Sequence, residues 1–163
     1  DLAVGVMVIQ TEYGAKVFLN PVKAGAFIEQ GNLRGTLYAG VLLSRNHALV
    51  DKIRSVVFEN RKVQGKDLGT VTVFQWDIRI ATNVTLANGN RAIGTRVSEE
   101  VYDKVLENDA PWYDRAFVVN DWYITAYEPI KKDGEIVGMI YAGDKEKDLE
   151  ALRPKIREGP SWW

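Results

Sequence analysis

The chain lacks cysteine altogether among its 163 residues. This absence excludes a disulfide framework, a thiolate metal site, a haem attached through C-x-x-C-H and a cysteine nucleophile. An excess of one charge is missing too, because the net charge is -1, so neither nucleic acid nor an anionic membrane surface is an expected partner. The longest apolar run, Leu2 to Ile9, is about a third of the length that a membrane-spanning helix needs. An ordinary globular domain with one core is therefore expected.

Histidine is almost as scarce, and this bears on catalysis. His47 is the single histidine, and it follows Asn46 in a predicted helix. Ser44 lies nearby, but no G-x-S-x-G motif surrounds it, and H-E-x-x-H, Walker and G-x-G-x-x-G motifs are also missing. We interpret His47 as a surface or capping residue. The sequence therefore predicts a protein that is not an enzyme and that uses neither a cofactor nor a metal ion.

Three segments are predicted along the chain. Residues 1–66 form a helical or mixed N-terminal part, residues 67–143 form a sheet core, and residues 144–163 form a C-terminal helix leading toward a membrane helix of the parent protein. In the first segment, Ser44 or Asn46 could cap a helix. The apolar positions of that helix recur at helical spacing, at Leu49, Val50, Ile53, Val56 and Val57.

The middle segment predicts a sheet of about five strands. Asn88-Gly89 and Lys132-Asp133-Gly134 are turn signals, and Ser98 followed by two glutamates starts a helix that interrupts the strands. Runs of strands with one helical insertion favour an α+β fold with an antiparallel sheet flanked by helices. The predicted strands are Val71 to Trp76, Ile78 to Val84, Ala116 to Val119, Trp122 to Ile130 and Ile136 to Ala142.

Four sequence blocks in the same region resemble the single Cache family, in the branch described as a Cache-3/Cache-2 fusion. These blocks run from Phe74 to Asn83, from Arg91 to Thr95, from Tyr123 to Ile130 and from Asp133 to Gly143. The resemblance implies a PAS-like central antiparallel sheet that follows a long N-terminal helix. It also implies a pocket for a small ligand on one face of the sheet and a position outside the cytoplasm between two membrane helices.

The function that this resemblance implies is ligand sensing. The domain would be the periplasmic portion of an inner-membrane receptor, either a methyl-accepting chemotaxis protein or a sensor histidine kinase. Its partners would be a small molecule, with a carboxylate favoured, the signalling domains of the same polypeptide and a second copy in a homodimer. The alternative is a periplasmic PAS-like interaction or dimerisation module that has no small-molecule ligand.

Related sensor kinases for dicarboxylates and citrate hold their ligands with Arg-x-x-His on the second strand. Here Arg79 and Thr82 occupy those two positions, so the histidine is missing. Thr125 stands where those sensors carry a second basic residue. The resemblance therefore favours a small monocarboxylate or a neutral polar solute over a doubly anchored dicarboxylate.

The residues themselves suggest where a ligand could bind. Arg79 lies in an apolar run, and a buried guanidinium needs an anion, which could be a ligand carboxylate or a protein carboxylate such as Asp77 or Glu128. Tyr123 and Tyr127 share one strand face, which could line a pocket or pack as ordinary sheet. Arg91 and Arg96 could reach a pocket or lie in solvent, and Trp76 and Met139 could line it or belong to the core. The predicted binding residues are Arg79, Thr82, Asn83, Arg91, Phe117, Tyr123, Thr125 and Tyr127.

Overall fold

The computed structural model describes residues 6–11 and 14–151. The strands are β1 (Val6–Thr11), β2 (Gly14–Glu29), β3 (Asn32–Leu42), β4 (Lys62–Val63), β5 (Lys66–Asp67), β6 (Thr70–Gln75), β7 (Ile78–Thr82), β8 (Trp112–Val118), β9 (Asp121–Lys132) and β10 (Glu135–Lys145). The helices are α1 (His47–Val57), α2 (Glu99–Tyr102) and α3 (Glu146–Glu150), and α2 continues as a π-helical turn over Asp103–Glu107. In this part of the chain, no helix is both long and apolar enough to cross a membrane.

A five-stranded antiparallel sheet organises the fold, with strand order β7-β6-β10-β9-β8. The β6–β7 and β9–β10 hairpins pair neighbouring segments, whereas the chain between β7 and β8 passes from one edge of the sheet to the other. The turn between β9 and β10 places Asp133 at φ 52° and Gly134 at φ 84°, the left-handed angles that a tight hairpin requires. The sheet and its few helices confirm the predicted α+β class.

Each face of this sheet packs against a different part of the chain. We call the inner face the one that packs against α2, its π-helical turn and residues 83–97, which we call the cover loop. The outer face packs against α1. Buried inner-face residues include Phe74, Val101, Val105, Tyr123, Tyr127, Met139 and Tyr141, and buried outer-face residues include Leu43, Val50, Val71, Val73 and Ala81.

The predicted helix starts are confirmed, and of the predicted capping residues Asn46 makes a capping hydrogen bond whereas Ser98 does not. The Asn46 side chain accepts a hydrogen bond from the Leu49 backbone N–H at 3.0 Å, so Asn46 rather than Ser44 caps α1. Ser98 precedes α2, but its hydroxyl makes no capping hydrogen bond. Glu99 and Glu100 occupy the first turn of α2, where the helix dipole favours negative charge.

The N-terminal part differs from what the resemblance implies. β1, β2 and β3 form a separate antiparallel sheet in the order β1-β2-β3, where the resemblance implies a long helix. Only α1, with 11 residues, precedes the five-stranded sheet as a helix in the described residues. This strand-rich stretch agrees with its several glycines, which disfavour a continuous helix. The predicted C-terminal helix begins as α3, and its remaining positions from residue 152 onward lie outside the described residues.

Candidate functional site

A β-bulge between β6 and β7 sets the position of the predicted anchor. Thr82 pairs with Thr72, and after a register shift Arg79 pairs with Phe74. Thr72 and Phe74 are two residues apart, so they share the inner face, and their partners share it as well. Without the bulge, Arg79 and Thr82 would point to opposite faces, since they are three residues apart. The bulge therefore places the side chains of Arg79 and Thr82 on the same side of the sheet.

Arg79 is almost completely buried, with 2% of its surface exposed. Its Nη1 donates to the Thr95 hydroxyl at 2.9 Å and to the Arg96 carbonyl at 2.8 Å, and its guanidinium lies 5.0 Å from the Phe74 ring centroid. Nε has no hydrogen-bond partner in the described part of the chain. The pKa of Arg79 is lowered because burial removes water from the cation, although the nearby hydroxyl of Tyr127 opposes this shift.

The carboxylates considered as partners for this arginine are engaged elsewhere. Asp77 is held by the guanidinium of Arg96, and Glu128 accepts a hydrogen bond from the Tyr113 hydroxyl. Within residues 6–11 and 14–151, no acidic side chain forms an ion pair with Arg79. The inner face thus contains a buried cation that no acidic side chain of the described residues neutralises, and an added anion would stabilise it.

Three tyrosines surround this cation on neighbouring strands. Tyr123 and Tyr127 lie on the same buried face of β9. The strand register places Tyr141 of β10 opposite Tyr127, with ring centroids 4.8 Å apart. Burial raises the pKa of Tyr123 and of Tyr127 to about 12, and it also raises the pKa of Tyr141 well above its usual value. Their hydroxyls therefore stay protonated at neutral pH. Those of Tyr123 and Tyr127 can donate hydrogen bonds to an anion, whereas that of Tyr141 lies 2.8 Å from the Thr70 hydroxyl.

Four other predicted residues use their polar groups within the protein. The Thr82 hydroxyl lies 2.6 Å from that of Thr72, and Asn83 Oδ1 accepts from the Val71 N–H at 2.6 Å. The Thr125 hydroxyl shares the buried side of β9 with the tyrosines but donates to the Asp114 carbonyl at 2.7 Å. Arg91 contacts α1 rather than the inner face. These side chains adjoin the site or support it, and they are already satisfied.

Phe117 lies apart from the other predicted residues. On β8 it alternates with the buried Ala116 and Val118, so its ring projects from the outer face. It is 48% exposed and packs edge to face against Trp122 at 5.6 Å. The structure therefore does not bring Phe117 together with Arg79.

The inner face is closed in this structure. Tyr123, Tyr127 and Tyr141 are each at most 2% exposed, because α2 and the cover loop lie over them. Three cavities line the outer face or its rim, and a fourth, of about 530 Å³, lies beside Trp76 and Ile78 at the sheet edge. None of these four cavities is lined by Arg79. A ligand of Arg79 would have to displace the cover loop.

A comparison with models of protein families identifies the family of this chain. The model described as single cache domain 3 matches residues 29–156, which is most of the chain. The chain belongs to the single cache domain 3 family. No curated protein matches it.

Membership of the Cache family settles the broad function. Cache domains are extracytoplasmic sensor domains, they bind small ligands in general, and they are not catalytic. In the described residues, no three His, Cys, Asp or Glu side chains group in a way that could hold a metal ion. His47 is exposed at the start of α1, as expected for a surface residue.

The structure of this Cache domain adds residues that sequence reasoning missed. Thr95 accepts from the Arg79 guanidinium, and Phe74 lies against it. Tyr141 completes the tyrosine cluster. The pattern Met139-x-Tyr141-x-Gly143 at the end of the β10 block could have indicated Tyr141, because alternate residues of a strand share one face. Nothing in the local sequence indicates Thr95, which lies 16 residues from Arg79.

Proposed function

We propose that this Cache domain senses a small organic acid or a similar polar solute, which binds at the inner face with its carboxylate on Arg79. The observation that carries the proposal is the buried guanidinium, which has no anionic partner and an unused Nε within the part of the chain that the structure describes. A carboxylate is the partner that matches a planar guanidinium, because two parallel N–H groups can donate to its two oxygens. The parent protein would be a chemoreceptor or a sensor histidine kinase of the inner membrane.

The neighbouring hydroxyls support an anionic group at this position. Tyr123 and Tyr127 can each donate one hydrogen bond, whereas the Tyr141 hydroxyl is bonded to that of Thr70, and Phe74 and Met139 supply an apolar wall for a short carbon chain. Thr82, Asn83 and Thr125 remain predicted contacts, and each would have to leave its present partner to reach a ligand. The Phe117 contact also stays a prediction, although the ring lies on the outer face.

The charge of the site favours one carboxylate over two. Arg79 is the cation that the inner-face tyrosines surround, whereas Arg91 is paired with Asp51 and Arg96 with Asp77. Thr125, at the position of a second basic residue in related sensors, offers only a hydroxyl that is already used. A second ligand carboxylate would then be buried without a cation, which is unfavourable. We therefore expect monocarboxylates to bind more tightly than dicarboxylates of similar size.

A thermal-shift screen tests the proposal. Organic acids, amines and amino acids are each added to the protein, to Arg79→Met and to Arg115→Met, whose exposed guanidinium stacks on Trp122 of the outer face. We expect an acid to raise the melting temperature of the protein and of Arg115→Met, with no rise for Arg79→Met. An acid that stabilises Arg79→Met equally would contradict the assignment, and a screen without any stabilising compound would contradict the sensing of small organic acids.

A second candidate is the interaction or dimerisation module, and one observation favours it. Tyr113, Phe117, Trp122 and Ile124 form an exposed apolar patch on the outer face of β8 and β9. Exposed patches of this kind often mark protein contacts. A second copy of the chain is the proposed occupant. Sedimentation velocity would report a dimer that Phe117→Ser weakens, whereas a monomer at all concentrations would exclude this candidate.

A further inference from the structure

Arg91 forms a bidentate ion pair with Asp51 of α1. Its Nη1 and Nη2 donate to the Oδ1 and Oδ2 atoms of Asp51 at 3.0 and 2.8 Å, and Nη1 also donates to the Thr82 carbonyl at 3.0 Å. The two side chains are 30% and 40% exposed. Bidentate geometry distinguishes this pair from ordinary surface ion pairs, which contribute little to the stability of the fold. The Arg91 hydrogen bond lowers the pKa of the Asp51 carboxyl, which therefore stays ionised.

The same stretch of the cover loop also holds Arg79. The Arg79 N–H donates to the Thr95 carbonyl at 2.9 Å, and the Gly94 N–H donates to the Arg79 carbonyl at 2.8 Å. The Thr95 hydroxyl accepts from the Arg79 guanidinium and donates to the Ala92 carbonyl at 2.7 Å. Residues 91–95 are therefore bonded to the inner-face cation at one end and to a helix of the outer face at the other.

We propose that Arg91 is a positioning residue, which through Asp51 couples α1 to the part of the cover loop that holds Arg79. It would not contact the ligand itself. The path passes around β7, the edge strand, and so connects the two faces of the sheet without crossing it. A shift of Thr95 relative to Arg79 would move Arg91, and the paired carboxylate would move α1. The inference deepens the proposed function, on which it rests, by naming how a change at the inner face reaches a helix.

A second ion pair on α1 provides the matched control. Arg54 of α1 donates to Asp67 of β5 at 3.0 Å, which links the helix to the short β4–β5 hairpin. This pair does not involve the cover loop. Asp67→Asn therefore breaks one ion pair of α1, as Asp51→Asn breaks the other, and it leaves the proposed path intact.

Hydrogen exchange measured by mass spectrometry on the full chain, without any ligand, tests the coupling. The perturbation is Thr95→Val, which keeps the shape of the side chain but removes the hydroxyl that bonds Arg79. We expect it to change exchange of the α1 amides by about threefold or more in the unmodified chain and in Asp67→Asn. In Asp51→Asn, where the link is cut, α1 should not respond. Thr95→Ser, which keeps the hydroxyl, should have no effect.

Two results would overturn the inference: an equal response of α1 in Asp51→Asn, or no response in the unmodified chain. A merely structural role for the pair would give additive effects of Thr95→Val and Asp51→Asn. The exchanged pair, Asp51→Arg with Arg91→Asp, should restore the response, and Arg79→Lys serves as the perturbation should Thr95→Val not fold. Because no ligand is used, the coupling can be found even where every organic acid fails to bind, so the two proposals fail separately.

Discussion

Replacing Arg79 with methionine should change the stability of the ligand-free protein little, although the residue is buried. The guanidinium has lost water, which costs several kcal/mol for an ion in a protein interior. Its hydrogen bonds to Thr95 and Arg96 offset this by about 1.5–3 kcal/mol each, and its position over the Phe74 ring adds up to about 2 kcal/mol. These contributions nearly cancel. We expect the free energy of unfolding of Arg79→Met to lie within about 2 kcal/mol of that of the unmodified chain.

The effect of a ligand on the melting temperature should then distinguish the unmodified chain from Arg79→Met. A compound present at about 100 times its dissociation constant adds about 2.7 kcal/mol of stability to a chain that binds it. For a domain of this size, this raises the melting temperature by roughly 5–10 °C. Arg79→Met should show no such rise.

Urea denaturation followed by circular dichroism measures the free energy of unfolding of the ligand-free proteins. Thermal melting with and without the acid measures the rise in melting temperature that the ligand causes. Arg115→Met is the matched control, because it removes an exposed cation from the outer face. A loss of about 3–5 kcal/mol in ligand-free Arg79→Met would refute the reasoning, since this is the loss expected when one partner of a buried ion pair is removed. It would mean that Arg79 has an anionic partner within the protein.

Three further predictions concern the sheet and its titratable groups. Gly138→Ala should destabilise the protein by about 3 kcal/mol in urea denaturation, because a Cβ would overlap the Phe74 carbonyl; Gly35→Ala, whose Cβ meets no described atom within 4 Å, should be near neutral, and equal losses would contradict this. Spectrophotometric titration should show tyrosines that ionise near pH 12, fewer of them in Tyr127→Phe; ionisation of all tyrosines near pH 10 would contradict their burial. Burial raises the folded-state pKa of Asp144, so the folded state binds its proton more tightly and the group's contribution to stability falls as pH rises above about 4. As the pH rises from about 3 to about 6, the free energy of unfolding of Asp144→Asn should therefore change more favourably than that of the unmodified chain. An equal change in the two proteins would show that the carboxyl is solvated.

Local sequence was sufficient to predict most elements of the central sheet. β-branched and aromatic runs bounded by turn residues predicted all five strands, and the Asp133-Gly134 turn formed where its sequence required it. Alternation along β9 predicted correctly that Tyr123 and Tyr127 share a face. These features depend on residues close together in the chain, so local patterns are enough to find them.

Long-range pairing explains what was missed at the site. Phe117 is exposed because β8 presents its other residues to the core, and a strand pattern does not say which of its two faces is inner. Arg91 pairs with a carboxylate 40 residues away, and Thr95 reaches Arg79 only because the cover loop folds back along β7. The three N-terminal strands likewise depend on pairing with one another, which the expectation of a helical or mixed N-terminal part did not include.

The sequence by itself determined that the domain has no thiol chemistry, no catalytic histidine set and a five-stranded antiparallel core, because composition and short-range periodicity are properties of the chain. It also carried the ordered blocks of the Cache family. Only the tertiary structure decided that Arg79 is buried and that no acidic side chain among the described residues pairs with it. That outcome required the bulge to turn Arg79 inward, and it required Asp77 and Glu128 to find other partners. Which buried charges are neutralised depends on which distant groups meet, and this is set by the packing of the whole domain.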